Sequence, residues 1–180
     1  MPSPSAMDVE HLSIIRASVR AFMERIASSF NDIQLLLDIA PQVHEGARPF
    51  FASHVRVETL DIDERSVSTY IADICKTNSF IPNDRFDAII CTEVLEHTIQ
   101  PFDAMEEMYR LLSPGGHLFL TVPFNFRIHG PLPDCWRFTE HGLRSLLRRF
   151  EVIQLLAVET PDRPLMPIHY TVIAKKPFAL

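Results

Sequence analysis

An α/β fold built on an open, largely parallel sheet is what this 180-residue chain predicts, and three observations carry the expectation. Asp38, Asp61, Asp73 and Glu93 each stand at or just past the end of a short apolar run. In an open parallel sheet ligands bind outside the carboxyl ends of the strands, so carboxylates in those places suit a nucleoside or a cationic ligand. Further on, a strand, a helix, Pro114-Gly115-Gly116 and another strand follow one another as a βαβ unit. The composition, 47% hydrophobic and 22% charged, supports one core, because a chain of this length buries roughly two-thirds of its unfolded surface.

Each element has its own signal. Residues 1–7 form a Pro/Ser tail expected to be disordered, and residues 8–180 are expected to form one domain with an N-terminal helix. Asp8 or Ser13 is the expected start of that helix, whose apolar positions Leu12, Ile15, Val19, Phe22, Ile26 and Phe30 recur at helical spacing. It should lie across the sheet or cover the ligand. A strand over residues 33–39 precedes an irregular stretch, 41–53, with room for one short helix, and a strand over 56–60 follows. Residues 61–68 are too few for a helical crossover, which usually takes about a dozen residues, so the helix set is reduced on that side.

A strand over 69–72 leads through the turn signal Pro82-Asn83-Asp84 into a strand over 86–91. Phe102, Met105, Met108, Leu111 and Leu112 give the next helix its apolar face, Pro101 suits its first turn, and Pro114-Gly115-Gly116 is expected to stop it before a strand over 117–122. The methionines in that helix read as core. A loop over 123–138 holds the single tryptophan, Trp136; a helix runs from Thr139 or Glu140 to Arg149, and strands over 151–158 and 170–174 close the chain.

Composition also excludes partners. Net charge is −6 and pI about 5.7, with no basic cluster denser than Arg144 with Arg148 and Arg149, so nucleic acid is a poor fit. Cys75, Cys91 and Cys135 are too scattered for a disulfide framework and read as free thiols of a reducing cytoplasm. The N-terminus lacks a basic segment followed by an apolar one, and no apolar run reaches the ~18 residues of a membrane span, so neither secretion nor insertion is expected. The eight histidines show no HxxxH or HExxH spacing, and Asp61 with Asp63 offers too few converging oxygens for a hard cation; no metal is expected.

The block FDAIICTEVLEH over residues 86–97, then LLSPGGHLFLTVP over 111–123, then HGP and DCWRFTEHGL between 129 and 143, resembles the class I S-adenosylmethionine-dependent methyltransferases. It looks like their small bacterial type 11 branch, and the likeness runs from about Leu35 to the end. The resemblance implies a Rossmann-like, doubly wound seven-stranded sheet of order 3-2-1-4-5-7-6, with the final strand inserted antiparallel between its neighbours. It implies S-adenosylmethionine as cofactor, with Asp38 near its methionine end, Asp61 and the adjoining Ile62 at the ribose, Asp73 and Ile74 at the adenine, and Thr92 with Glu93 on the methionine side. One departure stands out: where the family has a turn of the form DxGxGxG after the first strand, Ala40, Gln42 and His44 occupy the glycine positions. Ala40 and Gln42 are still expected to line the cofactor turn, since a β-carbon is absorbed there if φ stays negative.

Methyl transfer from a sulfonium is an in-line displacement in which the enzyme aligns the acceptor and excludes water. A hydroxyl acceptor also needs a general base, and histidine is poised for that at neutral pH. His129 is the first candidate and His97 the second; against these, His129 reads as a structural residue of a Pro-rich loop, and Leu95-Glu96-His97 reads as a helix start whose carboxylate favours the helix N-terminus. Asp134, Trp136 and Arg137 either shape an acceptor pocket or anchor their loop, with Trp136 on the sheet edge and Arg137 paired to Asp134 or Glu140. The expected function is S-adenosylmethionine-dependent methyl transfer to a small-molecule acceptor, a hydroxyl of a sugar or secondary metabolite. The alternative, favoured by the missing glycines, is a degenerate, non-catalytic binding or partner module. A nicotinamide dehydrogenase is excluded because no GxGxxG follows the first strand. In a chain this small the pocket is either open or completed by a second copy, a homodimer in which the N-terminal helix is the natural interface element.

Overall fold

The computed structural model describes residues 2–41, 45–161 and 163–178. Gln42 and His44, two of the residues at the glycine positions, lie outside the described residues. Seven strands form one sheet: β1 (Leu35–Ile39), β2 (Arg56–Asp61), β3 (Tyr70–Ile71), β4 (Phe86–Thr92), β5 (Leu112–Pro123), β6 (Glu151–Val158) and β7 (His169–Lys175). Their order is β3-β2-β1-β4-β5-β7-β6. β7 runs antiparallel to both β5 and β6, and the remaining pairs are parallel. The expected order and the inserted antiparallel strand are both borne out.

The central strands read as unbroken apolar runs because both of their faces are covered. In β4, Ala88 and Ile90 point to one face with Leu36, Phe119 and Ile173, while Ile89 and Cys91 point to the other with Leu37, Leu118 and Val172. Helix α1 (Ala6–Ser29) covers the first face through Phe22, Met23 and Ile26. Phe119 meets Phe22 and Phe30 edge-on, with centroids 6.4 and 5.0 Å apart. Helices α2 (Pro101–Leu111) and α3 (Glu140–Leu146) cover the second face with Met105, Met108, Leu143 and Leu146. Phe102, expected on the buried side of α2, is instead 47% exposed beneath the Arg148 guanidinium.

Several boundaries differ from the expectation for identifiable reasons. Helix α1 starts at Ala6, earlier than Asp8 or Ser13, because Ser5 and Asp8 form a capping box: the Asp8 amide donates to Ser5 Oγ at 3.2 Å and the Ser5 amide donates to Asp8 Oδ2 at 2.7 Å. Two residues read as tail thus join the helix. Strand β5 starts at Leu112 rather than His117. Leu112 pairs with Phe86, the register then shifts before Ala88 pairs with His117, and residues 113–116 bulge from the strand. Gly116 is required in that bulge, since a β-carbon there would meet the Ser113 and Asp87 carbonyl oxygens at 2.9 and 3.0 Å. Pro114-Gly115-Gly116 therefore marks a kink inside a strand, not a break before it. Helix α3 closes at Leu146, short of Arg149, and Thr139 Oγ1 caps it by accepting from the Gly142 amide. On the reduced side, a 3₁₀ turn, Arg48–Phe50, is the one helical element among the described residues between β1 and β2.

Candidate active site

The carboxyl ends of β1, β2 and β4 open onto a cleft of about 900 Å³, lined by Ala40, Asp61, Ile62, Asp73, Ile74 and Glu93 among others, with Pro131–Pro133 forming its rim. That volume falls at the upper end of the roughly 300–1,000 Å³ typical of ligand pockets.

Asp61 closes β2. It is only 4% exposed, its Oδ1 accepts from the Asp63 amide at 2.9 Å, and its Oδ2 is buried with no hydrogen-bond partner among the described residues. A buried carboxylate oxygen without a donor is costly, and a ribose diol in the cleft is the kind of donor that removes the cost. The residues present therefore fit the nucleoside end of S-adenosylmethionine. Ile62 is 68% exposed, an apolar side chain on the cleft wall. Asp73 Oδ1 accepts from the Cys75 amide at 2.9 Å, which fixes its carboxylate beside the buried Ile74.

The first-strand turn is not as expected. Ala40 has φ +53, the left-handed region, and its amide donates to the Leu60 carbonyl at 2.7 Å. The premise of a negative φ is thus overturned: alanine here bears strain that the family's glycine avoids. Asp38 does not line the cleft. Its Oδ2 accepts from the Ala47 amide at 2.7 Å, and a β-carbon on Gly46, which has φ +56, would lie 2.1 Å from that same oxygen. Gly46 supplies the close approach to backbone that this turn retains. Burial raises the Asp38 carboxyl to about 6 in spite of the Ala47 hydrogen bond.

On the methionine side, Glu93 lines the cleft and Thr92 does not; Thr92 pairs with Thr121 across the sheet. Glu93 has φ +54, and its Oε1 receives hydrogen bonds from Thr121 Oγ1 at 2.9 Å and His169 Nε2 at 2.7 Å. Ser18 Oγ of α1 lies 2.9 Å from His169 Nδ1, so the hydroxyl donates to Nδ1 and Nε2 carries the proton given to Glu93. Sequence reasoning missed His169, which is fully buried; it lies 76 residues from Glu93, and only the insertion of β7 beside β5 brings them together.

A second cluster lies at the rim. Glu96, read from the sequence as a helix-start charge, is 0% exposed, and neither carboxylate oxygen is hydrogen-bonded among the described residues. Burial, then the charge of Glu93, holds its carboxyl well above the usual range. His97 Nε2 and His129 Nε2 each lie 3.7 Å from Glu96 Oε1, and the two rings meet edge to face with centroids 4.8 Å apart. Of the two, His97 is among the residues that line the cleft and His129 is not. His129 sits behind it, against Phe126 and Asp134, and burial lowers its pKa.

Asp134, Trp136 and Arg137 lie outside the cleft lining and lock the loop. Arg137 donates to both Asp134 oxygens, at 2.5 and 2.7 Å, and to the Phe126 and Arg127 carbonyls. Burial pushes the Asp134 carboxyl up, but the Arg137 hydrogen bonds outweigh it and hold it at about 2. Trp136 Nε1 donates to the Thr98 carbonyl at 2.7 Å, and its ring stacks on Phe138. These contacts are those of the loop-anchoring alternative: with a further bond to the Trp136 carbonyl, every donor of the guanidinium fork is used within the loop.

Among the described residues no helix is long and apolar enough to cross a membrane. The family model described as a methyltransferase domain matches residues 12–158. The ubiquinone biosynthesis O-methyltransferase of Alkalilimnicola ehrlichii is 38% identical over 65 residues, 36% of this chain and 24% of that protein. Its counterpart from Xanthomonas oryzae pv. oryzae is 34% identical over 86 residues, 48% of this chain and 32% of that protein. The matched segment thus spans about a third or less of these curated relatives. Among solved structures, the N-methyltransferase NodS of Bradyrhizobium japonicum WM9, in complex with S-adenosyl-L-homocysteine, superposes with a TM-score of 0.68 at 16% identity, covering 91% of this chain and 88% of that one. The 1,6-didemethyltoxoflavin-N1-methyltransferase of Burkholderia thailandensis gives 0.60 at 19%, covering 98% and 93%. The [4+2]-cyclase SpnF gives 0.70 at 16%, covering 91% and 82%. At such identities the superpositions speak for the fold alone, and SpnF, named a cyclase, marks that fold does not fix function. With the family model matched over most of its length and the sheet order of the fold in place, the chain belongs to the class I S-adenosylmethionine-dependent methyltransferase family.

Proposed function

We propose that the protein transfers a methyl group from S-adenosylmethionine to a hydroxyl of a small molecule, a sugar or a secondary metabolite. The observation that carries this reading is Asp61 Oδ2, buried at the end of β2, partnerless among the described residues and bordering the cleft. The names of the curated relatives, O-methyltransferases of ubiquinone biosynthesis, support oxygen as the acceptor atom.

In this reading Asp61 takes the ribose hydroxyls, Ile62 packs on the base, and Asp73 with the Ile74 backbone meets the adenine amine. Ala40, with Glu93 held by Thr121 and His169, borders the methionine end; Asp38 and Thr92 act through the backbone around it. When bound, S-adenosylmethionine supplies an activated methyl group. The chain's own residues then orient the acceptor, exclude water and accept one proton. His97 is set up to take that proton, since its Nδ1 lies 2.9 Å from the Pro133 carbonyl, an acceptor only, so Nδ1 carries the hydrogen and Nε2 is left with its lone pair. Asp134, Trp136 and Arg137 keep the Pro-rich rim in place.

The alternative, a non-catalytic binding module, is favoured by the strained alanine at the first glycine position. One titration separates the two. S-adenosylhomocysteine is expected to bind the wild type at micromolar concentration and Asp61→Ala at least tenfold more weakly; equal affinity for both proteins, or none for either, rejects this site.

A further inference from the structure

Glu96, His97 and His129 are a preformed donor set that the sequence spacing conceals. Glu96 is fully buried, and neither of its carboxylate oxygens has a hydrogen-bond partner among the described residues. A buried carboxylate in that condition calls for a positive partner. Arg137 favours the charged form only from a distance, because its N–H donors are spent on Asp134 and on three backbone carbonyls, those of Phe126, Arg127 and Trp136. What faces Glu96 is two imidazoles, each with Nε2 at 3.7 Å from Oε1. One ligand atom from each of the three residues lies within 4.8 Å of the others. Metal–ligand bonds of about 2.0–2.2 Å place neighbouring donors roughly 3–3.6 Å apart, so the side chains need to close by only a few tenths of an ångström to a little over one ångström.

The surroundings match what a metal-ligating histidine requires, namely a partner on its other ring nitrogen that fixes its orientation. For His97 that partner is the Pro133 carbonyl, 2.9 Å from Nδ1. For His129 it is Asp134 Oδ2, 3.0 Å from Nδ1, close but off the line of a hydrogen bond until the ring turns slightly. Asp134 is in turn gripped by Arg137 at both oxygens. Both Nε2 atoms are thereby aimed at Glu96.

We infer that Glu96, His97 and His129 form a binding site for one divalent cation, held by His97 Nε2, His129 Nε2 and a Glu96 carboxylate oxygen at the rim of the cleft. Two imidazoles and a carboxylate favour a borderline ion such as Zn²⁺, Fe²⁺ or Mn²⁺ over Ca²⁺. Three protein ligands leave a position open for water or substrate, and His97 borders the cleft. Resting on the methyl-transfer reading above, that position takes the acceptor hydroxyl. The cation polarises it, its proton passes to water, the oxygen lone pair forms the new O–C bond, and the electron pair of the broken C–S bond leaves with sulfur. Histidines engaged in this way are ligands, and the proton no longer resides on His97.

The test uses the full chain, stripped with a chelator and titrated with Zn²⁺ alone in competition with a chromophoric chelator, and separately with Co²⁺ alone while its visible absorption bands are followed. One equivalent is expected to bind at micromolar concentration or tighter, with Co²⁺ bands of a four- or five-coordinate nitrogen and oxygen site. His97→Gln and His129→Gln should each weaken binding at least 100-fold, Asp134→Asn about tenfold, and His141→Gln, in helix α3, should leave it unchanged. A wild-type protein that takes up less than a tenth of an equivalent at 100-fold excess of Zn²⁺ overturns the proposal without recourse to any variant, as does binding indifferent to both His97→Gln and His129→Gln. S-adenosylhomocysteine affinity, measured on the same samples without metal, keeps the two readings apart: metal uptake without nucleoside binding removes the cofactor reading and leaves the cation site, and the reverse removes only the site.

Discussion

Ala40 shows how much one methyl group can say at the residue scale. At φ +53 it occupies a conformation that costs an L-residue roughly 1–2 kcal/mol, in a turn where its amide also closes onto β2. Ala40→Gly relieves that strain but frees the unfolded chain, so a net stabilisation of about 0.5–1 kcal/mol is expected, read as a higher denaturant midpoint at unchanged slope. Asp38, two residues earlier, makes a prediction in pH. Its folded pKa of about 6 stands above the ordinary 3.8 because the carboxyl is buried, so the native state holds its proton longer than the unfolded chain does. The stability this contributes is complete below pH ~4 and is lost as pH rises through about 6. Asp38→Asn should erase that decline, gaining on the wild type across this window by at most roughly 3 kcal/mol, measured by urea unfolding at pH 4, 5, 6 and 7. Ala40, Asp61 and Asp73 were legible in the sequence because a carboxylate or a missing glycine at a strand end is a local signal. Glu96 was not, since a charged residue after a strand reads as exposed until its neighbours are known.

Elements were legible wherever period and composition agreed. Strands β1, β2, β4 and β6 and helix α2 lie within about two residues of their expected bounds, because apolar runs and a 3.6-residue stripe are properties of the local chain. The misses came from chemistry between neighbours: the Ser5–Asp8 capping box extended α1, and the bulge at residues 113–116 drew the Pro-Gly-Gly segment into β5. Helix α1 also illustrates which part of an element carries its energy. Ile26 is fully buried against the Leu36, Ala88 and Phe119 face, so Ile26→Ala should cost about 3 kcal/mol. Removing the Ser5 hydroxyl should cost only about 1 kcal/mol. Thermal unfolding of the two variants side by side tests that ranking, and a larger loss for Ser5→Ala would mean that the helix is held by its end rather than by its face.

For the whole molecule, a ligand in the cleft bridges residues at or just past the ends of β1, β2 and β4, and these unite only in the folded chain. Any such ligand stabilises by mass action. S-adenosylhomocysteine at 100 times its dissociation constant should add about 2.7 kcal/mol, which in a domain of this size raises Tm by about 5–10 °C. Asp61→Ala should show little of that rise at the same ligand concentration. Absence of any shift in the wild type would count against the cleft as a nucleoside site.

By itself the sequence determined the strands, the helices, the acidic residues at the strand ends and, through its motifs, the family. Those signals are local: a period, a turn, a block of twelve residues. Tertiary structure alone decided what the side chains meet. The antiparallel insertion of β7 joins His169 to Glu93 across 76 residues. The Pro-rich loop folds back to set His129 against Glu96 and His97. The burial of Glu96 without a donor is likewise a fact of that packing. Local preference fixes backbone states one short window at a time, whereas the environment of a carboxylate or an imidazole depends on which distant segments the sheet order brings beside it, and no window of the chain contains both partners.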